Sequence, residues 1–183
     1  MSSRMPKQKP GRSETVVRTP VEFLTAVKTL LGIDEFVVDL AACADNAVAS
    51  TYFTKEEDAL AQNWFAFGDI DEFGDQWCWL NPPYDDITPW AERCARQVST
   101  FGKCGASVAM LVPASVGSNW WRDYVHGFAR VYFLNGRISF LDKHGNSIVS
   151  PKTGKPTPYP KDLALLLYGN EPGYDVWEWR KQA

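Results

Sequence analysis

The first apolar pattern along the chain predicts an amphipathic helix close to its start. Apolar side chains recur there at the spacing of a helix, namely Phe23, Leu24, Val27, Leu30 and Leu31. Thr19 is a good N-cap residue, and Pro20 suits the first position of a helix. Gly32 follows the last apolar residue, as is typical of a helix end. We therefore expect a helix that opens at Thr19-Pro20 and stops at Gly32.

Short apolar runs, typical of buried strands, alternate with helical patterns along the rest of the chain. They predict strands at residues 36–40, 64–68, 77–80, 106–112, 130–134 and 163–168. The helical patterns predict helices at residues 45–50, 56–63, 88–100 and 119–128. Strands that alternate with helices, followed by a strand pair, indicate a three-layer α/β fold. We expect a Rossmann-like sheet that is mainly parallel, with an antiparallel C-terminal strand.

Two polar segments fall outside this α/β pattern. Residues 1–18 contain Ser, Lys, Pro and Gly without apolar periodicity, and they are predicted to form a flexible basic tail. Residues 142–161 are too long and polar for a tight hairpin, so we expect a basic loop that protrudes between the last two strands. A length of 183 residues suits one domain, which we assign to residues 19–183.

The composition is that of a globular protein, with 45% hydrophobic and 22% charged residues. No apolar run approaches the ~18 residues that a membrane span needs, and the polar N-terminus lacks the apolar stretch of a signal peptide. These features predict a cytoplasmic protein without a membrane partner. The four cysteines form no C-x-x-C pair, and the chain has only two histidines, so no metal site is expected.

Charge is distributed unevenly along the chain, whose net charge is −3. Residues 34–86 hold thirteen acidic residues and one basic residue, whereas residues 137–161 hold five basic residues and one acidic residue. An acidic protein can still bind DNA if its cations line one face. The net charge therefore excludes only a protein that coats nucleic acid with a uniformly basic surface.

The motif with the clearest chemistry is Asn81-Pro82-Pro83-Tyr84, which directly follows the predicted strand at residues 77–80. Ligands of open α/β sheets bind at the carboxyl ends of the strands, so the motif stands where a site is expected. The Asn81 side-chain oxygen and the Pro82 carbonyl are two acceptors for the N–H bonds of an aromatic amine such as adenine N6. They would localise the nitrogen lone pair, which is otherwise delocalised into the ring. Proline stiffens the loop, and Tyr84 offers a ring that can stack on a base.

Four segments in order resemble the phage-type DNA N-6-adenine methyltransferase (Dam) family of class I S-adenosylmethionine-dependent enzymes. They are Thr19-Pro20, Asp-Leu-Ala-Ala-Cys at residues 39–43, Asp-Ala-Leu-Ala-Gln-Asn-Trp at residues 58–64, and Asn81 to Tyr84. The likeness covers about Thr19 to Tyr168. It implies a methyltransferase fold, methylation of adenine N6 in DNA with a flipped base held by Asn81, Pro82, Pro83 and Tyr84, and S-adenosylmethionine as cofactor. For a phage-encoded enzyme it implies the cytoplasm of the bacterial host.

By this resemblance, Asp39 would bind the methionine part of the cofactor, and Ala41 is a further cofactor-binding candidate. The helix N-terminus at Thr19-Pro20 offers free N–H groups to the cofactor carboxylate. Asp58 is the candidate for the ribose hydroxyls, although Glu56 and Glu57 compete, and Asp69 is a candidate for the adenine. Many methyltransferases have G-x-G at the first cofactor turn, whereas residues 42–46 here contain no glycine.

DNA contacts are expected from cations outside the acidic core. The candidates are Arg137, Lys143, Lys152 and Lys155, with the basic tail as the alternative. Other interpretations stay open: a solvated loop, an inactive nucleic-acid-binding module, or the same chemistry on cytosine N4, RNA or a protein glutamine. The recognition sequence and the oligomeric state are left open.

Overall fold

The computed structural model describes residues 17–64, 76–101 and 107–181. The strands are β1 (Val38–Asp39), β2 (Trp77–Leu80), β3 (Ser107–Pro113), β4 (Ala129–Leu134), β5 (Leu163–Tyr168) and β6 (Gly173–Trp177). The helices are α1 (Val21–Leu31), α2 (Thr88–Phe101) and α3 (Asn119–Tyr124), with short 3-10 helices at Ala59–Ala61 and Trp179–Lys181.

The six strands form one sheet in the order β1-β2-β3-β5-β4-β6. Trp79 of β2 pairs in parallel with Asp39 of β1 and with Ala109 of β3. Strand β5 runs antiparallel to both of its neighbours, whereas β4 and β6 pair in parallel. Only β5 therefore opposes the common direction, which confirms the mainly parallel α/β sheet predicted from the sequence.

Strand β6 was not predicted from the sequence. The strand predicted at residues 163–168 is β5, which is antiparallel as expected, and β6 follows it in the chain. Three consecutive residues of β6, at 174–176, are exposed, so the apolar run that marks a buried strand is lacking. The strand forms because β4 leaves an open edge beside it, a condition that only the assembled sheet provides.

Apolar side chains on both faces of the sheet are covered by helices, as a three-layer fold requires. On one face, Phe23 of α1 is fully buried and lies edge-on to Trp79 and Trp179. On the other face, Cys78, Leu80 and Met110 belong to a core that also includes Ala91 and Cys94 of α2. Successive residues of β2 alternate between these two clusters, because side chains along a strand point to opposite faces.

Helix α1 begins one residue later than an N-cap at Thr19 would place it. Pro20 occupies the N-cap position, and its carbonyl accepts hydrogen bonds from the N–H groups of Phe23 and Leu24. Pro20 has ψ 139°, outside the helical region, so the helical backbone starts only at Val21 and Thr19 precedes the N-cap. Gly32 ends the helix in the left-handed conformation at φ 69°, as predicted.

The two helices predicted at residues 45–50 and 56–63 do not form. Residues 44–46 form a turn and residues 48–50 a bend, and only Ala59–Ala61 is helical in the second segment, as a 3-10 helix. Helix α3 also ends sooner than expected, at Tyr124, ahead of Gly127 at φ 81°. The predicted strand at residues 64–68 lies outside the described residues, apart from Trp64. Within the described ranges, no helix is long and apolar enough to cross a membrane.

Candidate active site

Asn81 lies directly after β2, at the edge where the parallel strands β1, β2 and β3 end. Its side-chain Nδ2 donates a hydrogen bond to Thr19 Oγ1 at 3.4 Å, across 62 residues of sequence. No described residue donates a hydrogen bond to Asn81 Oδ1 or to the Pro82 carbonyl. The motif thus presents two acceptors at the carboxyl edge of the sheet, and the amide nitrogen of Asn81 is already engaged.

Tyr84 joins the motif to the long loop that follows β4. Its ring lies edge-on to Tyr159, with centroids 5.6 Å apart, and to Phe140, with centroids 6.4 Å apart. The Tyr84 hydroxyl is buried without a hydrogen-bond partner among the described residues. Burial raises its pKa well above the ordinary value near 10, and the nearby Tyr159 raises it further. Tyr84 therefore stays protonated at physiological pH and does not act as a base.

Asp39 ends β1 and organises the turn that follows. Its Oδ1 accepts a hydrogen bond from Ala41 N–H at 3.2 Å, and its Oδ2 accepts one from Val48 N–H at 3.1 Å. The residue is only 3% exposed. Burial raises the pKa of Asp39 to about 6, against the opposing effect of these two hydrogen bonds. The carboxylate is consequently mostly ionised at neutral pH, and this buried charge lies at the edge of the sheet.

Asn46 fixes the turn that follows β1 through both ends of its side-chain amide. Its Oδ1 accepts a hydrogen bond from Cys43 N–H at 2.7 Å, and its Nδ2 donates one to the Val17 carbonyl at 3.2 Å. The Cys43 carbonyl accepts from the N–H groups of Asn46 and Ala47. Side-chain bonds from Asp39 and Asn46 thus shape the turn, and they explain why no helix forms at residues 45–50.

The acidic segment at residues 56–58 follows a short stretch around Tyr52 that pairs in parallel with Asp39 of β1. Asp39 N–H bonds to the Thr51 carbonyl, and Phe53 N–H bonds to the Asp39 carbonyl, which leads the chain towards the carboxyl edge. Glu57 is engaged locally, because its carboxylate accepts the Thr54 N–H while its own N–H bonds to Thr54 Oγ1. Asp58 is exposed, its side chain caps no N–H group, and its backbone has φ 48°, which is unusual for a residue other than glycine. Asp69, the other acidic candidate, lies outside the described residues.

The cations predicted to meet DNA lie on and beside the loop at residues 142–161. Lys143, Lys152 and Lys155 are exposed, and none forms an ion pair with a described residue. Arg137 differs, because its guanidinium lies 3.9 Å from the Asp162 carboxylate. The start of this loop is fixed, because Leu141 exchanges two backbone hydrogen bonds with Arg18.

The outer part of the loop is a short two-stranded ribbon. Val149 and Pro156 form an antiparallel bridge, and Ser150 N–H bonds to the Lys155 carbonyl at 2.9 Å. Lys152 lies in the turn that closes the ribbon. Tyr159 follows the ribbon: its N–H bonds to the Ile138 carbonyl, and its ring packs on Tyr84. The loop therefore stands beside the Asn81 motif and is held at both of its ends.

Comparison with known proteins agrees with these features. Residues 7–166 match the profile of the family described as DNA N-6-adenine-methyltransferase (Dam). The chain belongs to this family. It is 27% identical over 109 residues to the DNA N-6-adenine-methyltransferase of Haemophilus phage HP1 (strain HP1c1), which covers 59% of the chain and 56% of that enzyme. It is 35% identical over 82 residues to the "Putative methyltransferase YfdM" of Escherichia coli (strain K12), which covers 40% of the chain and 70% of that protein.

Methyltransferase membership implies S-adenosylmethionine as methyl donor, and the donor set of this Dam-family chain fits such a ligand. An ammonium and a sulfonium are favoured near the ionised Asp39. The N–H groups of Val21 and Glu22 open α1 and bond to no described residue, so they are free for a carboxylate. The exposed Asp58 can accept hydrogen bonds from ribose hydroxyls.

Three residues that contact the candidate segments were not predicted from the sequence, namely Asn46, Phe140 and Tyr159. Tyr159 carried a usable signal, because it is the only Phe, Trp or Tyr among residues 142–161. A lone aromatic residue in a mostly polar loop indicates an anchoring point. Nothing in the sequence marks Asn46, whose role depends on the position of Val17.

Proposed function

We propose that this protein transfers a methyl group from S-adenosylmethionine to the N6 amine of adenine in DNA. The observation that carries the proposal is the environment of Asn81. Its Nδ2 is bonded to Thr19, and its Oδ1 has no described partner at the carboxyl edge of the sheet. A free acceptor in that position suits a substrate that presents N–H groups.

The chain supplies acceptors for the target amine. Asn81 Oδ1 and the Pro82 carbonyl each accept one N–H bond of N6, which draws the nitrogen towards tetrahedral geometry and localises its lone pair. These acceptors are held before the substrate arrives, because Pro82 and Pro83 stiffen the turn. Tyr84 supports the base with its ring. Pro82 and Pro83 thus act through the backbone, and Asn81 acts through its side chain.

When bound, S-adenosylmethionine would supply a sulfonium methyl group for the N6 lone pair; the sulfur would keep the electron pair of the broken C–S bond, and N6 would lose its proton to water. Asp39 stabilises the cationic end of this ligand directly and through the turn that carries Ala41. Thr19 and the N–H groups at the start of α1 bind its carboxylate, and the Asp58 carboxylate accepts hydrogen bonds from its ribose hydroxyls. Asp69 remains the candidate for the adenine ring.

Access to adenine in a duplex requires that the base be flipped out, at a cost of a few kcal/mol. The ribbon at residues 148–157 supports this step, since it projects beside the motif and carries unpaired lysines. We expect Lys143, Lys152 and Lys155 to bind phosphates, and Arg137 to join them once DNA competes with Asp162. The major groove of B-DNA admits a two-stranded ribbon of this kind.

The deciding experiment is nucleoside mass spectrometry of unmethylated DNA after incubation with the protein and S-adenosylmethionine. N6-methyladenine with wild type and none with Asn81→Ala would support the proposal. Detection of N4-methylcytosine instead would show that the target base is cytosine. Incubation with labelled cofactor and either RNA or protein as acceptor tests the remaining substrates. If calorimetry detects no binding of the cofactor, the protein is an inactive nucleic-acid-binding module.

A further inference from the structure

The contact between Thr19 and Asn81 joins the proposed cofactor site at the start of α1 to the motif that binds the target amine. Thr19 is 7% exposed, so water competes poorly for its hydroxyl. Asn81 Nδ2 donates to Thr19 Oγ1 at 3.4 Å, and no other described residue bonds to the Thr19 side chain. The side chain immediately before the N-cap of α1 therefore meets the side chain immediately after β2.

A side-chain amide has two orientations with opposite chemistry. It presents an acceptor on one side and two N–H donors on the other. For an aromatic amine, only the orientation with Oδ1 towards the substrate is productive, because the reversed amide would set donors against donors. The residue that holds Nδ2 in place consequently decides whether Asn81 is competent.

A threonine hydroxyl can bond either end of an amide, unless its own proton is engaged elsewhere. Beside Thr19, the N–H groups of Val21 and Glu22 open α1 and have no described partner. A carboxylate bound there would accept the hydroxyl proton as well, because it offers only acceptors. The Thr19 oxygen would then be left with lone pairs alone, which can receive only the N–H of Asn81.

We propose that Thr19 is a positioning residue, which holds the Asn81 amide with Oδ1 towards the target amine while its hydroxyl proton is taken by the cofactor carboxylate. This inference rests on the proposed function. It makes the bound cofactor a condition for the correct orientation of Asn81, and so links the cofactor site to the target site through one hydroxyl.

The test compares Thr19→Val, which removes the hydroxyl, with Thr19→Ser, which keeps it. At saturating S-adenosylmethionine, T19V should lower kcat at least about fivefold, the factor that a hydrogen bond of ~1 kcal/mol represents. T19S should stay within about twofold of wild type. Thr29→Val is the matched control, because Thr29 is exposed on α1 and bonds only to the Thr25 carbonyl.

A second readout is the NMR signal of the Asn81 side-chain amide, which does not depend on turnover. S-adenosylhomocysteine should shift this signal in wild type and T19S but not in T19V. 5′-Methylthioadenosine, which lacks the carboxylate, should leave it in place. Equal kcat in T19V and wild type, or an amide signal that responds alike in both, would overturn the role of Thr19. Failure of the wild-type protein to methylate adenine contradicts the proposed function instead, and the amide signals still decide on Thr19.

Discussion

The ring of Tyr159 lies edge-on against the ring of Tyr84, with their centroids 5.6 Å apart at an angle of 71°. This contact attaches the basic loop to the motif that carries Asn81. Phe140 completes the cluster, 5.8 Å from Tyr159. The position of the loop cations relative to the site thus depends on a small group of aromatic rings.

Removal of the Tyr159 ring should release the loop. Tyr159→Ala should lower the free energy of unfolding by about 1–3 kcal/mol, since a half-buried ring is removed. Trypsin should cut after Lys152, which is followed by Thr153, faster than in wild type under native conditions. Tyr159→Phe keeps the ring and should behave as wild type in both measurements, and equal cleavage of the alanine variant would contradict the anchoring role.

Removal of the Asn81 acceptor should abolish turnover. Asn81→Ala should lose methyl transfer and keep cofactor affinity within a few fold, because the acceptor acts on the amine in the transition state. Initial rates and calorimetric titration measure the two effects separately. Turnover above about a tenth of wild type would exclude this role.

The raised pKa of Asp39 predicts pH-dependent cofactor binding. Protonation as the pH falls through about 6 removes the charge that faces a cationic ligand, so affinity should fall over this range. For folding the sign is opposite: a raised carboxyl pKa stabilises the free protein at low pH, and this contribution is lost as the pH rises through about 6. Titration calorimetry at several pH values measures the first effect, and urea unfolding measures the second.

Asp39→Ala should weaken cofactor binding strongly and remove its dependence on pH between about 5 and 7, since the titrating group is absent. Asp45→Ala is the matched control, because Asp45 lies in the same turn with an exposed side chain. Unchanged binding in the Asp39 variant would place the cofactor elsewhere.

The loop lysines should determine the salt dependence of DNA binding. Replacing Lys143, Lys152 and Lys155 by Ala should weaken binding and reduce the slope of log K against log salt by up to about 0.9 for each phosphate that the variant no longer binds. Cofactor affinity should not change, and Lys28→Ala, on α1, is the control. A slope equal to that of wild type would assign the DNA-binding cations to residues 1–18.

A side chain at Gly136 should destabilise the fold. Its φ of 105° is strained for other residues, and an added Cβ would meet the guanidinium of Arg180 and approach the Trp179 indole nitrogen to 3.2 Å. We expect Gly136→Ala to destabilise the fold by about 1–3 kcal/mol in urea unfolding. Gly145→Ala, where φ is 82° and nothing lies within 4 Å of the added Cβ, should cost less.

The sequence by itself determined most of the sheet, because buried strands leave a local trace. Trp77–Leu80 and Leu163–Tyr168 are continuous apolar runs, and the structure forms both strands with the predicted bounds. The Asn81 motif was visible for a similar reason, since its chemistry and its place after a strand are both local. These features depend on neighbours within a few residues.

The tertiary structure decided what depends on distant partners. The bond from Asn81 to Thr19 spans 62 residues, and the bond from Asn46 to Val17 spans 29, so neither leaves a pattern in its own segment. Strand β6 forms because β4 offers an open edge. The turn after β1 is not helical because the buried Asp39 binds its N–H groups. The bonds of Asn81 and Asn46 and the pairing of β6 join segments that only the folded chain brings together, and the bonds of Asp39 form because folding buries its carboxylate.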